Sequence, residues 1–132
     1  MNRASFERLV DEALRDIPGR FRRPMQNIAL VVEDEPPPHI LEELEIGPGD
    51  TLFGLYQGTP LPERGWSYGN ALPDRISIYQ GPIEEACPDD ESIRCCVAET
   101  VIHELGHYFG MTEEQIQEIE DRYWSGESLE DL

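Results

Sequence analysis

The sequence predicts an α+β fold, and three observations carry that expectation. An amphipathic helical pattern opens the chain, three short runs rich in β-branched and aromatic residues lie between residues 27 and 80, and two helical patterns meeting at a glycine follow from residue 90. At 132 residues and 39% hydrophobic, the chain is long enough for one core and too short for two, so residues 1–132 are expected to form one domain.

The elements follow in order. Over residues 5–17, Phe6, Leu9, Val10, Ala13, Leu14 and Ile17 recur at helical spacing, Ser5 is placed to cap the start, and Pro18 and Gly19 stop the run. NIALVVE (27–33) reads as a buried strand. From Glu33 to Asp50 there are seven acids and no base among prolines and glycines, which predicts a surface loop with one helical turn near Leu41. TLFGLYQ (51–57) and RISIYQ (75–80) read as strands, joined by a turn-rich segment in which Trp66 and Tyr68 are expected to cover the core. GPIEEACPDDE then leaves the sheet. One long helix is expected from Asp90 to Phe109, capped by Asp89 or Asp90, with Ile93, Val97, Val101, Leu105 and Tyr108 along one side and Gly110 as its stop. Thr112 and Gln115 have the spacing of a capping box for a last helix, whose apolar face is Ile116, Ile119 and Tyr123 and whose end is Gly126.

Charge narrows the partners. The net charge is -18, and all ten basic residues are arginine: residues 1–23 carry six Arg against four acids, and the remainder four Arg against 24 acids. Such an acidic body repels phosphate backbones and anionic headgroups, so neither nucleic acid nor a membrane surface is an expected partner, while a basic peptide or protein is favoured. The same charge serves solubility. No apolar run approaches the length of a membrane span, and the charged N-terminal segment does not read as an export signal. Three cysteines, Cys87, Cys95 and Cys96, make an odd count with two adjacent, which points to a reducing cytoplasm rather than a secreted disulfide scaffold. Cys95 and Cys96 read as helix-packing residues. A monomer is the default.

The chemistry concentrates in VIHELGHYFGMTEEQ, residues 101–115. Residues four apart in a helix differ by about 40° around the axis and about 6 Å along it, so His103 and His107 project side by side and can hold one divalent ion. Glu104 lies close enough to reach a water on that ion without coordinating it. This is the H-E-x-x-H arrangement, in which two histidines bind zinc and the glutamate acts as general base. Zinc needs a third protein ligand. A chain that turns back at Gly110 can present Glu113 to the same ion; Glu114 is the near competitor, and both also suit a helix first turn. Cys96 shares the face but lies about 10 Å from His103 along the axis, and His39 belongs to the acidic loop.

DTLFGLYQGTPL, DRISIYQGPIEE and TVIHELGHYFGMTEEQI together resemble the small bacterial zincin-like metallopeptidase domains, over roughly residues 4 to 124. That family's extended motif usually reads H-E-x-x-H-x-x-G-x-x-D-E. His103, Glu104, His107, Gly110 and Glu114 match it, while Glu113 stands where aspartate is common. The resemblance implies a minimal zincin fold, with a small mixed sheet beside the motif helix. The motif is similar to that of the metzincins too, but Met111 is the sole methionine after Gly110, so their methionine turn and much of the floor of their cleft are not expected.

The leading expectation is therefore zinc-dependent hydrolysis of peptide bonds, with Glu104 as general base and His103, His107 and Glu113 on the metal. A second donor to the oxyanion is expected and unassigned, with Tyr79, Tyr68 and Arg75 as candidates that each also read as structural, and strand 75–80 is expected to offer its edge to an extended substrate. The alternative is a binding or adaptor module that keeps the scaffold, with a structural or vestigial metal site.

Overall fold

The structure, a computed structural model, describes residues 1–17, 19–47, 49–58 and 74–125. The expected loop residues Trp66 and Tyr68, and the stops at Pro18 and Gly126, lie outside the described residues.

Helix α1 (Arg3–Arg15) buries Phe6, Leu9, Val10 and Ala13, the stripe its periodicity predicts. Its cap is Asn2, not Ser5: the Asn2 side chain accepts the Ser5 amide at 2.8 Å. The correction is local. Asparagine caps as well as serine does, and the helix can begin earlier without turning its apolar face. Helix α2 (Gly19–Arg22) and a 3-10 turn (Arg23–Asn27) lead into β1 (Ile28–Glu33), with Phe21 buried on the way.

After β1, the acidic segment makes helix α3 (Pro38–Glu43), the turn expected near Leu41, which buries Ile40. Strand β2 (Gly54–Gln57) and strand β3 (Asp74–Tyr79) complete a three-stranded sheet of order β1-β3-β2. β1 runs parallel to β3, in register from Ile28 opposite Asp74 to Glu33 opposite Tyr79. β2 runs antiparallel to β3, with Gly54 opposite Ile78 and Gln57 opposite Arg75. This is the small mixed sheet that the resemblance implies.

One expectation fails here. The strand at 75–80 is central and paired on both sides, so it has no edge to offer. Consecutive buried residues explain its position: Ile76, Ser77, Ile78 and Tyr79 are all at most 1% exposed, as in a strand covered on both faces. Among the described residues, β2 is the outer strand on the antiparallel side.

Directly after β3, residues expected only to leave the sheet form helix α4 (Gln80–Ala86), burying Pro82 and Ile83. Its proline sits in the first turn, where the missing N–H would have no intrahelical acceptor. Helix α5 (Asp90–Tyr108) has the predicted cap: Asp89 accepts the Ser92 amide at 2.8 Å, and the Ser92 hydroxyl accepts the Asp89 amide at 3.2 Å. α5 packs on α1, β2, β3, α4 and helix α6 (Glu113–Ser125). It buries the predicted stripe together with Ala98, Ile102 and Gly106, as the central helix of the core.

Gly110 ends α5 in the left-handed region, at φ 75°. Its amide donates to the His107 carbonyl and that of Met111 to the Gly106 carbonyl, both at 3.0 Å, which closes a Schellman turn. The chain reverses, and α6 starts with the predicted reciprocal cap between Thr112 and Gln115, at 2.8 and 3.2 Å. α6 then lies directly on a glycine. A Cβ at Gly106 would sit 2.5 Å from Ile116 Cγ1, so the side chain missing there is what allows the close approach. No helix among the described residues is long and apolar enough to cross a membrane.

Candidate metal centre

His103 and His107 stand side by side on α5, with ring centroids 5.0 Å apart, and both are about one-third exposed. The reversal at Gly110 brings the first residue of α6 opposite them. Glu113 Oε2 lies 3.6 Å from His103 Nε2, and its Oε1 lies 3.5 Å from His107 Nε2. These separations are long for hydrogen bonds. They set one carboxylate oxygen opposite each ring, whereas the tighter ligand-type group, within 4.8 Å, is His103, Glu104 and His107. Two imidazoles and a carboxylate are also the donor chemistry that zinc takes. Glu114, in the same first turn, is exposed and makes no ion pair with either histidine among the described residues.

Glu104 occupies a different environment. It is 7% exposed and accepts the amide of Tyr56 from β2 at 2.7 Å. One ligand-type atom each from His103, Glu104 and His107 falls within a 4.8 Å cluster. Burial pushes the Glu104 carboxyl up to about 7; the Tyr56 amide and His103 oppose the rise, while Glu113 and Glu120 add to it. A carboxyl so placed can both take and return a proton near neutrality. Burial, and then the neighbouring His103, lower the pKa of His107, which favours the neutral ring that a metal requires.

The sequence profile of the zincin-like metallopeptidases matches residues 25–123. The chain belongs to this family. Among solved structures the chain is similar to a conserved hypothetical protein from Thermo thermophilus, which superposes with a TM-score of 0.54 at 25% identity, covering 83% of this chain and 94% of that one. No curated protein matches the chain. Membership implies a metal, usually zinc, and the His103–Glu104–His107 group is where this zincin-like chain can hold one.

Sequence reasoning missed one residue of the zincin-like centre. Glu120 on α6 is 8% exposed, and its Oε1 lies 2.7 Å from His103 Nδ1. A signal existed, because Glu120 falls four residues after Ile116 and three before Tyr123, on the face read as apolar. An acid in such a stripe needs a partner.

Other expected residues lie away from the centre. Arg75 donates to Gln57 on the neighbouring strand at 2.6 Å, and Tyr79 is 1% exposed within the sheet, its phenol pKa raised chiefly by burial. Tyr79 is thus held within the core, whereas Arg75 lies on the exposed side of the sheet with one guanidinium nitrogen engaged by Gln57. Tyr68 is outside the described residues. His39 is exposed on α3, and Cys96 is a half-buried packing residue whose thiol is pushed up to about 12, first by burial and then by Cys87.

Between the residues entering β2 and the outer face of α5 runs a cleft of about 290 Å³ that reaches His103 and Glu104. β2 can approach so closely because residue 54 is glycine: a Cβ there would meet Thr100 Cγ2 at 2.6 Å and the Ser77 carbonyl at 2.9 Å. Tyr56 of β2 also packs edge-on against Tyr108 of α5, centroids 6.0 Å apart. The cleft carries Glu99, whose carboxyl is raised by burial and by Glu120.

Proposed function

We propose that this chain is a zinc-dependent metallopeptidase that hydrolyses peptide bonds. The observation that carries the reading is the Glu113 carboxylate set opposite both Nε2 atoms, with a buried Glu104 beside them. His103, His107 and Glu113 would hold the ion. Bound zinc supplies a Lewis acid that polarises a carbonyl and makes water acidic near neutral pH. Glu104 receives the proton of the attacking water and passes it to the leaving amine. The Tyr56 amide holds one Glu104 oxygen at 2.7 Å, which keeps the carboxyl oriented. An extended peptide would lie along β2, the outer strand beside α5 among the described residues, with main-chain pairing supplying affinity. The acids of the cleft and of the body support a basic substrate side chain. Three free cysteines support a cytoplasmic, single-domain monomer.

A second reading keeps the metal and drops the chemistry. An ion held by α5 and by Glu113 would join two helices, which is what a structural site in a binding module would do.

The test is zinc stoichiometry together with cleavage of a diverse peptide library. Glu104→Gln is expected to keep its zinc and lose about 10²–10⁴-fold in kcat/KM. Glu113→Ala should weaken zinc binding at least about tenfold, and Glu114→Ala should leave it unchanged. A zinc-loaded protein with no Glu104-dependent cleavage rejects the peptidase in favour of the binding module.

A further inference from the structure

We propose that Glu120 is a positioning residue for His103, holding the ring in the tautomer and orientation that direct Nε2 at the metal position. The inference rests on the metal reading of the site and extends it to α6. The 2.7 Å separation between Glu120 Oε1 and His103 Nδ1 is that of a charge-assisted hydrogen bond. A carboxylate can only accept. Nδ1 therefore carries a hydrogen, and Nε2 is the nitrogen that faces Glu113, at 3.6 Å. Glu120 is also a poor surface residue. Its side chain is 10% exposed, and a carboxylate withdrawn from water is tolerated only with a partner. The partner found is His103.

Sequence spacing makes the arrangement coherent. Glu113 and Glu120 are seven residues apart, two turns of α6, so both project from one stripe of that helix. One acid meets Nε2 of His103 and the other meets Nδ1. α6 thus grips a single imidazole from both ends, and the contact of Ile116 with Gly106 sets the helix at the distance where this works. His107 has no carboxylate on its second nitrogen among the described residues. The two histidines of the motif are consequently unequal among the described residues: a buried carboxylate meets Nδ1 of His103, and none meets that of His107.

The experiment uses the full chain with Glu120→Leu and Glu120→Gln. Zinc affinity is measured by competition with a chromogenic chelator, the His103 ring tautomer by long-range proton–nitrogen NMR of the metal-free protein, and folding by metal-free Tm. Glu120→Leu should weaken zinc about 10–100-fold and shift His103 towards the Nε2–H form, without moving the His107 ring signals. Glu120→Gln keeps an acceptor and loses the charge, so it should retain the Nδ1–H form and weaken zinc by about tenfold or less, restoring part of what leucine removes. Wild-type His103 in the Nε2–H form overturns the proposal, as does zinc affinity in Glu120→Leu equal to wild type. If Glu120→Leu does not fold, the wild-type tautomer and the Glu120→Gln affinity decide, and an unchanged affinity overturns it. Wild type that binds no zinc removes the metal reading and this inference together. Wild type that binds zinc alongside equally competent Glu120 variants removes the inference alone.

Discussion

Helices α5 and α6 contribute to the same site by opposite means. α5 is the spine of the core, buried over most of its circumference, and its histidines occupy the one sector left partly open. α6 is a surface helix that, among its described side chains, buries a narrow stripe, Ile116, Ile119 and Glu120, yet it brings two carboxylates to the histidines. The difference shows how a small domain assembles a group that could hold a metal. The rigid helix supplies a pair whose spacing is set by helical geometry, and the docked helix supplies groups whose distance depends on packing. Any change that loosens α6 should therefore damage the site more than the fold, and truncating a core side chain of α5 should do the reverse.

That contrast can be broken in graded steps. The largest expected effect is on α5: Leu105→Ala, at a fully buried position, should cost about 2–5 kcal/mol in urea unfolding of the metal-free protein. Equal stability would mean that α5 is not the spine described. Next is Gly106→Ala. The new methyl would meet Ile116 Cγ1 at 2.5 Å and push α6 outward, an overpacking cost of about 1–3 kcal/mol, partly offset by the roughly 1 kcal/mol that alanine adds to a helix. Zinc affinity should fall further than stability does, because Glu113 and Glu120 move together. A more stable variant with undiminished affinity would show that α6 is not seated on that glycine.

The smallest effect lies at the start of α5, about four turns from the histidines. Asp89→Ala removes the cap and should lower the metal-free Tm slightly while leaving zinc affinity alone. Its pH dependence has a definite sign. Hydrogen bonds from the Ser92 backbone, then from its side chain, hold the Asp89 carboxyl below its ordinary 3.8. The cap is therefore fully stabilising above that ordinary value and is lost as pH falls through the lower folded value. The Tm difference between wild type and Asp89→Ala should be constant near neutrality and close only in strong acid. A difference that instead closes near neutral pH would assign the cap to another group.

Local rules reached much of this protein. The three strands lie where β-branched runs predicted them, and Asp89, Gly110 and the Thr112–Gln115 pair act as the caps and stop that their spacing implies. Asn2 replaced Ser5 because two good capping residues lay near one helix start. Helix α4 escaped because its single anchoring isoleucine, Ile83, gives no periodicity to read. The edge was assigned to the wrong strand because alternation within a strand reports burial of faces, whereas edge position depends on which strands pair.

By itself the sequence determined that His103, Glu104 and His107 would be neighbours, since a helix of any origin places residues one turn apart on one side. It also determined that the chain would turn back at Gly110, because glycine adopts positive φ without steric cost. Only the tertiary structure decided that Glu113 faces both imidazoles, that Glu120 takes the far nitrogen of His103, and that Tyr56 of an edge strand holds Glu104. Those contacts join segments that no local rule connects. They exist because α6 and β2 each come unusually close to α5, where Gly106 and Gly54 leave room for them.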